Sequence, residues 1–383
     1  MRLCHIVYVL ASVAEAGYAL SPSRVISERN TDWSISIVES TMARKTPDKI
    51  GGWGYISGLY MLGQYQVYKR TGDPRYLSYI QEWADRFVDD SGHLNSTLER
   101  LDSMQAGNVL LFLHKETGES RYKTAATQIR DRLKTYPRTK DHGFAHFVTR
   151  EHQLWADGVF MVNPFLARYG AAYDESDYTD DETTHQLIVY GNHLQVSNGL
   201  LQHAYDEARE QVWADSETGL SAEQWCRAMG WYGMAMTDIL EIIPRHHPNR
   251  RRILDKLRRF VAGVKRYQDP KSGRWFQVVN KGDLEDNWTE TSCSAMFTNT
   301  ISTALDRGYI RDHHGEYRKV MERGYAGVME RVQKNSEGLT DVLEICVGTD
   351  VGDLQWYLER PRATNDQHGL GAVLLMIEQV AHG

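Results

Sequence analysis

His152-Gln-Leu-Trp-Ala-Asp-Gly-Val-Phe-Met161 sets an acid, Asp157, between an indole and a glycine, then runs into apolar residues long enough for a helix. Working outward, apolar runs also open at Trp53, Asp102, Trp225, Glu290 and His368, and successive starts are 49 to 78 residues apart. The 3.6-residue apolar period and its Gly/Pro punctuation give twelve helical stretches. Trp33 to Arg44 leads into Tyr55 to Tyr68 and Tyr76 to Val88, and the run from Asp102 pairs with Lys123 to Thr135. Asp157 to Tyr169 pairs with Thr183 to Val196, Ala228 to Ile243 with Arg250 to Tyr267, and Ser292 to Arg307 with Glu316 to Val332. Gly369 to Ala381 can return to the first helix. A Thr-Gly-acid turn at Thr71 recurs at Thr117, with Arg-Tyr following in both cases, and is the clearest internal repeat. Six such hairpins can close into a ring. Glycine-rich aromatic helices (Gly54, Gly58, Gly63; Gly230, Gly233) would form its inner wall, and all the inner starts would face one mouth. Short strands are expected only in mouth-side loops such as Arg274 to Val279.

No proline-, glycine- or serine-rich linker interrupts the pattern, so residues 20–383 read as one helical domain despite their length. A net charge of −7 offers no basic face for nucleic acid. The aromatic set is 10 Trp and 21 Tyr against 9 Phe, and rings with a polar handle suit sugars as well as cores. Arg2, the apolar run Leu3 to Ala14 and Gly17-Tyr18-Ala19 fit a secretory signal peptide over residues 1–19, too short to span a membrane. Its removal leaves Cys226, Cys293 and Cys346, an odd count that predicts no disulfide framework; Cys226 and Cys293 read as buried thiols. Asn95-Ser-Thr and Asn287-Trp-Thr are glycosylation sequons, the first in a polar turn, the second among pocket residues.

The chemistry concentrates at the helix starts. Apolar neighbours around Asp157 oppose ionisation, which is what a general acid needs, although a helix-capping aspartate explains the local sequence equally well. Asp102 stands at the equivalent start of the preceding inner helix, and two carboxyls facing one pocket can take different protonation states. Trp225-Cys-Arg-Ala-Met-Gly-Trp231 sets Arg227 between aromatics, a clamp for a carboxylate beside a sugar face or, alternatively, a bridge between helix ends. His203 supplies an imidazole from the loop before that helix. No zinc pattern, phosphate loop, dinucleotide glycine motif or nucleophile elbow is present, so neither a metal nor a cofactor is expected.

Taken in order, these motifs resemble the unsaturated rhamnogalacturonyl hydrolases of glycoside hydrolase family 105 and, more distantly, the unsaturated glucuronyl hydrolases of family 88. The resemblance runs from Trp53 to Glu378. It includes Gly-Trp-x-Tyr at Trp53 and Tyr55, Leu-Asp at Asp102, the Asp157 segment, Gly-Leu-x-x-His at His203 and Trp-x-Arg-x-x-Gly-Trp at Trp225. It continues through Asn-x-x-Glu-Thr-Ser to a late block holding Trp356-Tyr357 and Asn365-Asp-x-His-Gly. The resemblance implies an (α/α)6 barrel, makes Asp157 the match to the acid/base, and makes Asp102 its partner. Trp53, Tyr55, His146, His203, Trp225, Arg227 and Trp231 become candidate substrate contacts. It implies removal of a 4,5-unsaturated uronic acid from lyase-generated oligosaccharides, with Asp157 protonating C4 and then activating the water that attacks C5. Two departures stand out: His146-Phe147 replaces His-Lys, and Cys226 replaces a glycine. The expected partner is a small oligosaccharide, with no nucleic acid or membrane, for a secreted (otherwise cytoplasmic) monomer or weak oligomer. The rivals are the same chemistry on a glycosaminoglycan- or arabinogalactan-derived uronide, a non-catalytic sugar-binding barrel, and an epimerase using paired histidines.

Overall fold

The computed structural model of the protein describes residues 31–383, so the leader expected at 1–19 lies outside the described residues. Six outer helices are α1 (Trp33–Arg44), α3 (Pro74–Ala84), α6 (Ser120–Lys134), α8 (Ser176–Leu194), α10 (Arg250–Arg266) and α12 (Glu316–Met329). The inner ones are α2 (Tyr55–Thr71), α4 (Asp102–Gln105) continued by α5 (Gly107–Thr117), α7 (Gly158–Tyr173), α9 (Cys226–Ile242), α11 (Thr291–Asp306) and α14 (Gln367–Ala381). Each inner segment packs on the next, and α14 returns to α2. The ring closes, as an (α/α)6 barrel.

Sequence explains which helix goes where. The outer α10 buries Ile253, Leu257, Phe260, Val261 and Val264 along one stripe and turns its arginines and lysines outward. The inner α9 is buried on nearly every side and is correspondingly apolar over most of its surface. At Gly371 of α14 a Cβ would stand 2.5 Å from the Leu59 carbonyl oxygen of α2, so only glycine permits this backbone approach. Helix α3 begins at Pro74, ahead of the expected Tyr76. Asp73 caps it through the Arg75 N–H, and proline suits the first helical turn. The run from Asp102 breaks at Ala106 into α4 and α5, where N–H groups bond three residues back and tighten the turn.

Among the described residues, eight short strands form four antiparallel pairs in the loops. Strand β1 (Gln153–Trp155) pairs with β2 (Ala204–Asp206), and the Trp155–Ala204 register seats His203 beside Ala156. Strand β3 (Trp275–Phe276), within the expected segment, pairs with β4 (Thr289–Glu290). Strands β5 (Val332–Lys334) and β6 (Thr340–Val342) make the third pair, and β7 (Ile345–Cys346) and β8 (Arg362–Ala363) the fourth. A further short helix, α13 (Leu354–Leu358), lies between β7 and β8.

One expectation is corrected. Cys226 and Cys293 are joined in a disulfide, with their Cα atoms 5.6 Å apart, rather than standing as separate buried thiols. Ring closure is the reason: they occupy the first turns of α9 and α11, neighbours in space despite 67 residues of separation. Cys346 is the free thiol among the described residues.

Candidate active site

The inner helix starts bring Asp102 and Asp157 to one end of the ring. Asp157 directly precedes α7, yet its side chain makes no capping hydrogen bond. The carboxyl turns instead toward His203, whose Nε2 lies 3.2 Å from Oδ2. The simple capping explanation is thereby excluded. His203 Nδ1 sits 2.7 Å from the Tyr357 hydroxyl, which also accepts the Gly352 N–H at 3.2 Å. The hydroxyl therefore ties Nδ1 to the Gly352 turn, which leaves Nε2 to face Asp157. Tyr357, inside a quoted motif but not singled out from sequence, thus orients the imidazole.

The two carboxyls titrate in opposite directions. Burial, and then the charge of Asp157, push Asp102 up to about 7, with Arg100 opposing. Burial also works against ionisation of Asp157, but hydrogen bonding and charge from His203 outweigh it and hold the group below the usual carboxylate range. Apolar surroundings alone would raise both; the His203 contact separates them. His146 stacks on Trp155 with centroids 4.6 Å apart and places Nε2 3.8 Å from Asp102 Oδ1. Burial depresses it to about 3, so it is a neutral ring at physiological pH.

Asp102 opens onto a cavity of about 290 Å³ that Trp53, Tyr55, Arg100, Ser103 and Gln367 also line. Trp53 stacks on Trp83 at 5.6 Å and donates its indole N–H to the Ser103 carbonyl. Tyr55 meets Trp231 and His368 edge-on. Trp225 and Trp231 are each only 1 % exposed and offer no open face: Trp225 packs on His203 and Tyr357, Trp231 on Phe160. Arg227 lies over the Trp225 ring and donates to the carbonyls of Cys346 at 2.5 Å and Val347 at 2.7 Å. Its fork is therefore engaged with backbone, while its charge still acts on Tyr55, Asp157 and Asp366. Buried Glu290 holds the opposite side of that segment, accepting the N–H groups of Ser292, Cys293 and Cys346. Asp366 caps α14 and also binds His368 Nδ1 at 2.5 Å.

Among the described residues, Cys226, Glu290 and Cys293 form a cluster of metal-ligand types, but the sulfurs are joined to each other and supply no thiolate. Asn287 commits its amide N–H groups to the Val278 and Lys281 carbonyls, which explains why that sequon is buried. A larger groove, about 830 Å³, lies at the far end of α9, but its one carboxylate, Glu241, is already paired with Arg307. The opposed carboxyl pair lies at the other end.

Two carboxyls separated in titration, one of them Asp102 on an aromatic-walled cavity, suit hydrolysis of a sugar derivative. The chain belongs to Glycosyl Hydrolase Family 88, whose family model matches residues 26–382, and it is a glycoside hydrolase. A family 105 glycoside hydrolase from Clostridium acetobutylicum is 32% identical, with TM-score 0.85, over 90% of this chain and 98% of that one. The unsaturated rhamnogalacturonyl hydrolase YesR of Bacillus subtilis is 26% identical over 90% of this chain and 94% of its own length. An unsaturated glucuronyl hydrolase from Bacillus sp. GL1 shares the fold with TM-score 0.67 at 12% identity, covering 90% and 94%.

Proposed function

We propose that the protein removes a 4,5-unsaturated uronic acid, of galacturonyl type, from the non-reducing end of rhamnogalacturonan fragments. Similarity to YesR supports the substrate class. The observation that carries the chemistry is the opposed titration of Asp102 and Asp157. Sequence similarity gives both proton transfers to Asp157; the electrostatics favour dividing them. Protonated Asp102 delivers its proton to C4 of the enol ether, leaving an oxocarbenium ion at C5. Water adds to C5 and loses a proton to ionised Asp157, held by His203. The resulting hemiketal opens to a C5 ketone and a C1 hemiacetal, which expels the leaving sugar. One water is consumed, and proton exchange resets the pair. Arg227 contributes positive charge toward the uronate side of the site rather than a free bidentate fork.

Asp157→Asn and Asp102→Asn should each lower kcat by at least about a hundredfold, the scale of a general acid or base, while calorimetry still detects substrate binding. Near-normal turnover in either variant would end this assignment. A secreted location is supported by the disulfide, since such bonds persist in an oxidising environment. Among the described residues no helix is long and apolar enough to cross a membrane.

A further inference from the structure

Phe147, which stands where the resemblance expects a lysine, is not bare. Its ring carries two guanidinium groups, Arg100 at 5.4 Å and Arg150 at 4.8 Å from the centroid, and Arg150 also lies 5.5 Å from the Trp155 ring. Backbone bridges between Arg100 and Phe147 and between Phe147 and Arg150 fix the three together. Both arginines are exposed. The ion-pair contacts on this wall are His146 with Asp102 and His152 with Glu207, and neither involves an arginine. Stacking fixes each planar group while leaving its N–H edges free, an arrangement suited to a carboxylate or sulfate. Arg100 lines the same cavity as Asp102, and both arginine charges reach His146.

Position assigns these cations to a part of the substrate. The ring to be protonated must reach Asp102 and Asp157, so the exposed rim meets the chain that leaves. We propose that Arg100 and Arg150, stacked on Phe147, form a subsite for an anionic group, carboxylate or sulfate, carried by the leaving portion of the oligosaccharide. The proposal rests on the unsaturated-uronide reading above. It predicts a preference for acidic leaving chains over a single neutral sugar.

The test compares two substrates with the same unsaturated uronyl group. One is a disaccharide with neutral rhamnose as the leaving sugar; the other is a tetrasaccharide whose leaving chain contains a uronate. The readout is the ratio of kcat/KM for the acidic substrate to that for the neutral one, in wild type and in Arg100→Gln/Arg150→Gln. Both substrates use the same Asp102 and Asp157, so any effect of the lost charges on those carboxyls cancels in the ratio. The ratio should fall about tenfold, chiefly through KM of the acidic substrate, as expected for losing a charge-paired contact. In wild type, raising salt from roughly 0.05 to 0.5 M should lower the same ratio by screening the rim. An unchanged ratio in the double variant, or a wild-type ratio indifferent to salt, would overturn the subsite while leaving the hydrolase reading intact. Wild type inactive on both substrates would instead overturn the reading on which the subsite rests.

Discussion

At Asp102 and Asp157 similar burial has opposite outcomes, because one carboxyl faces a charged neighbour and a neutral imidazole while the other faces His203. This has a measurable sign. As the proposed acid, Asp102 would deliver its proton only while protonated, so kcat/KM should fall as pH rises through about 7, and the acid limb, assigned to Asp157, should lie below the usual carboxylate range. The same shift acts on stability. Native Asp102 holds a proton over a window, from the usual carboxylate range to about 7, in which the unfolded chain has lost it. The native state binds more protons there, and stability falls as pH rises through the window. Asp102→Asn should therefore melt at a higher temperature than wild type at about pH 8 and converge with it at about pH 3, each roughly one unit outside the window; scanning calorimetry decides. Tyr357→Phe removes the hydroxyl that holds His203 Nδ1. It should lower kcat about tenfold, the scale of one hydrogen bond, and displace the acid limb with little change in KM. A change confined to KM would make Tyr357 a packing residue only. Asp102, Asp157 and His203 were legible in sequence because each lies in a motif beside an apolar run. Their opposed titration and the role of Tyr357 were not, since both depend on contacts between segments far apart in the chain.

Among the elements, helices were the most readable, because an apolar stripe repeats within each one and its caps are local. Most long runs appear near their expected limits, but α8 begins at Ser176, well ahead of the expected Thr183; the break at Ala106 depends on tight backbone bonding that periodicity does not encode. The disulfide was hidden for a different reason. Cys226 and Cys293 carry no spacing pattern, and only ring closure sets the starts of α9 and α11 side by side. It closes a loop with sequence separation 67 and ties down the turns that present Arg227 and Glu290. Replacing both cysteines by alanine should lower unfolding stability by roughly 2–4 kcal/mol in urea titrations. Peptide mapping without reductant should recover the two cysteine peptides as one linked species. Separate peptides and an unchanged urea midpoint would show that the pair contributes no cross-link.

For the molecule as a whole, the ring makes one mouth from six helix starts, and family membership establishes hydrolysis of a glycoside. The central claim is narrower: the protein acts on the C4=C5 double bond and not directly on the glycosidic bond. A carboxyl pair that protonates an enol ether has nothing to protonate at C4 of a saturated uronide, however well the sugar binds. The decisive measurement is the release of the leaving sugar from two matched disaccharides that differ only in that double bond, followed alongside the enol-ether absorbance. Release is expected from the unsaturated compound alone, at the rate at which absorbance disappears. Equal cleavage of the saturated compound would contradict it and make the protein an ordinary glycosidase on the same barrel.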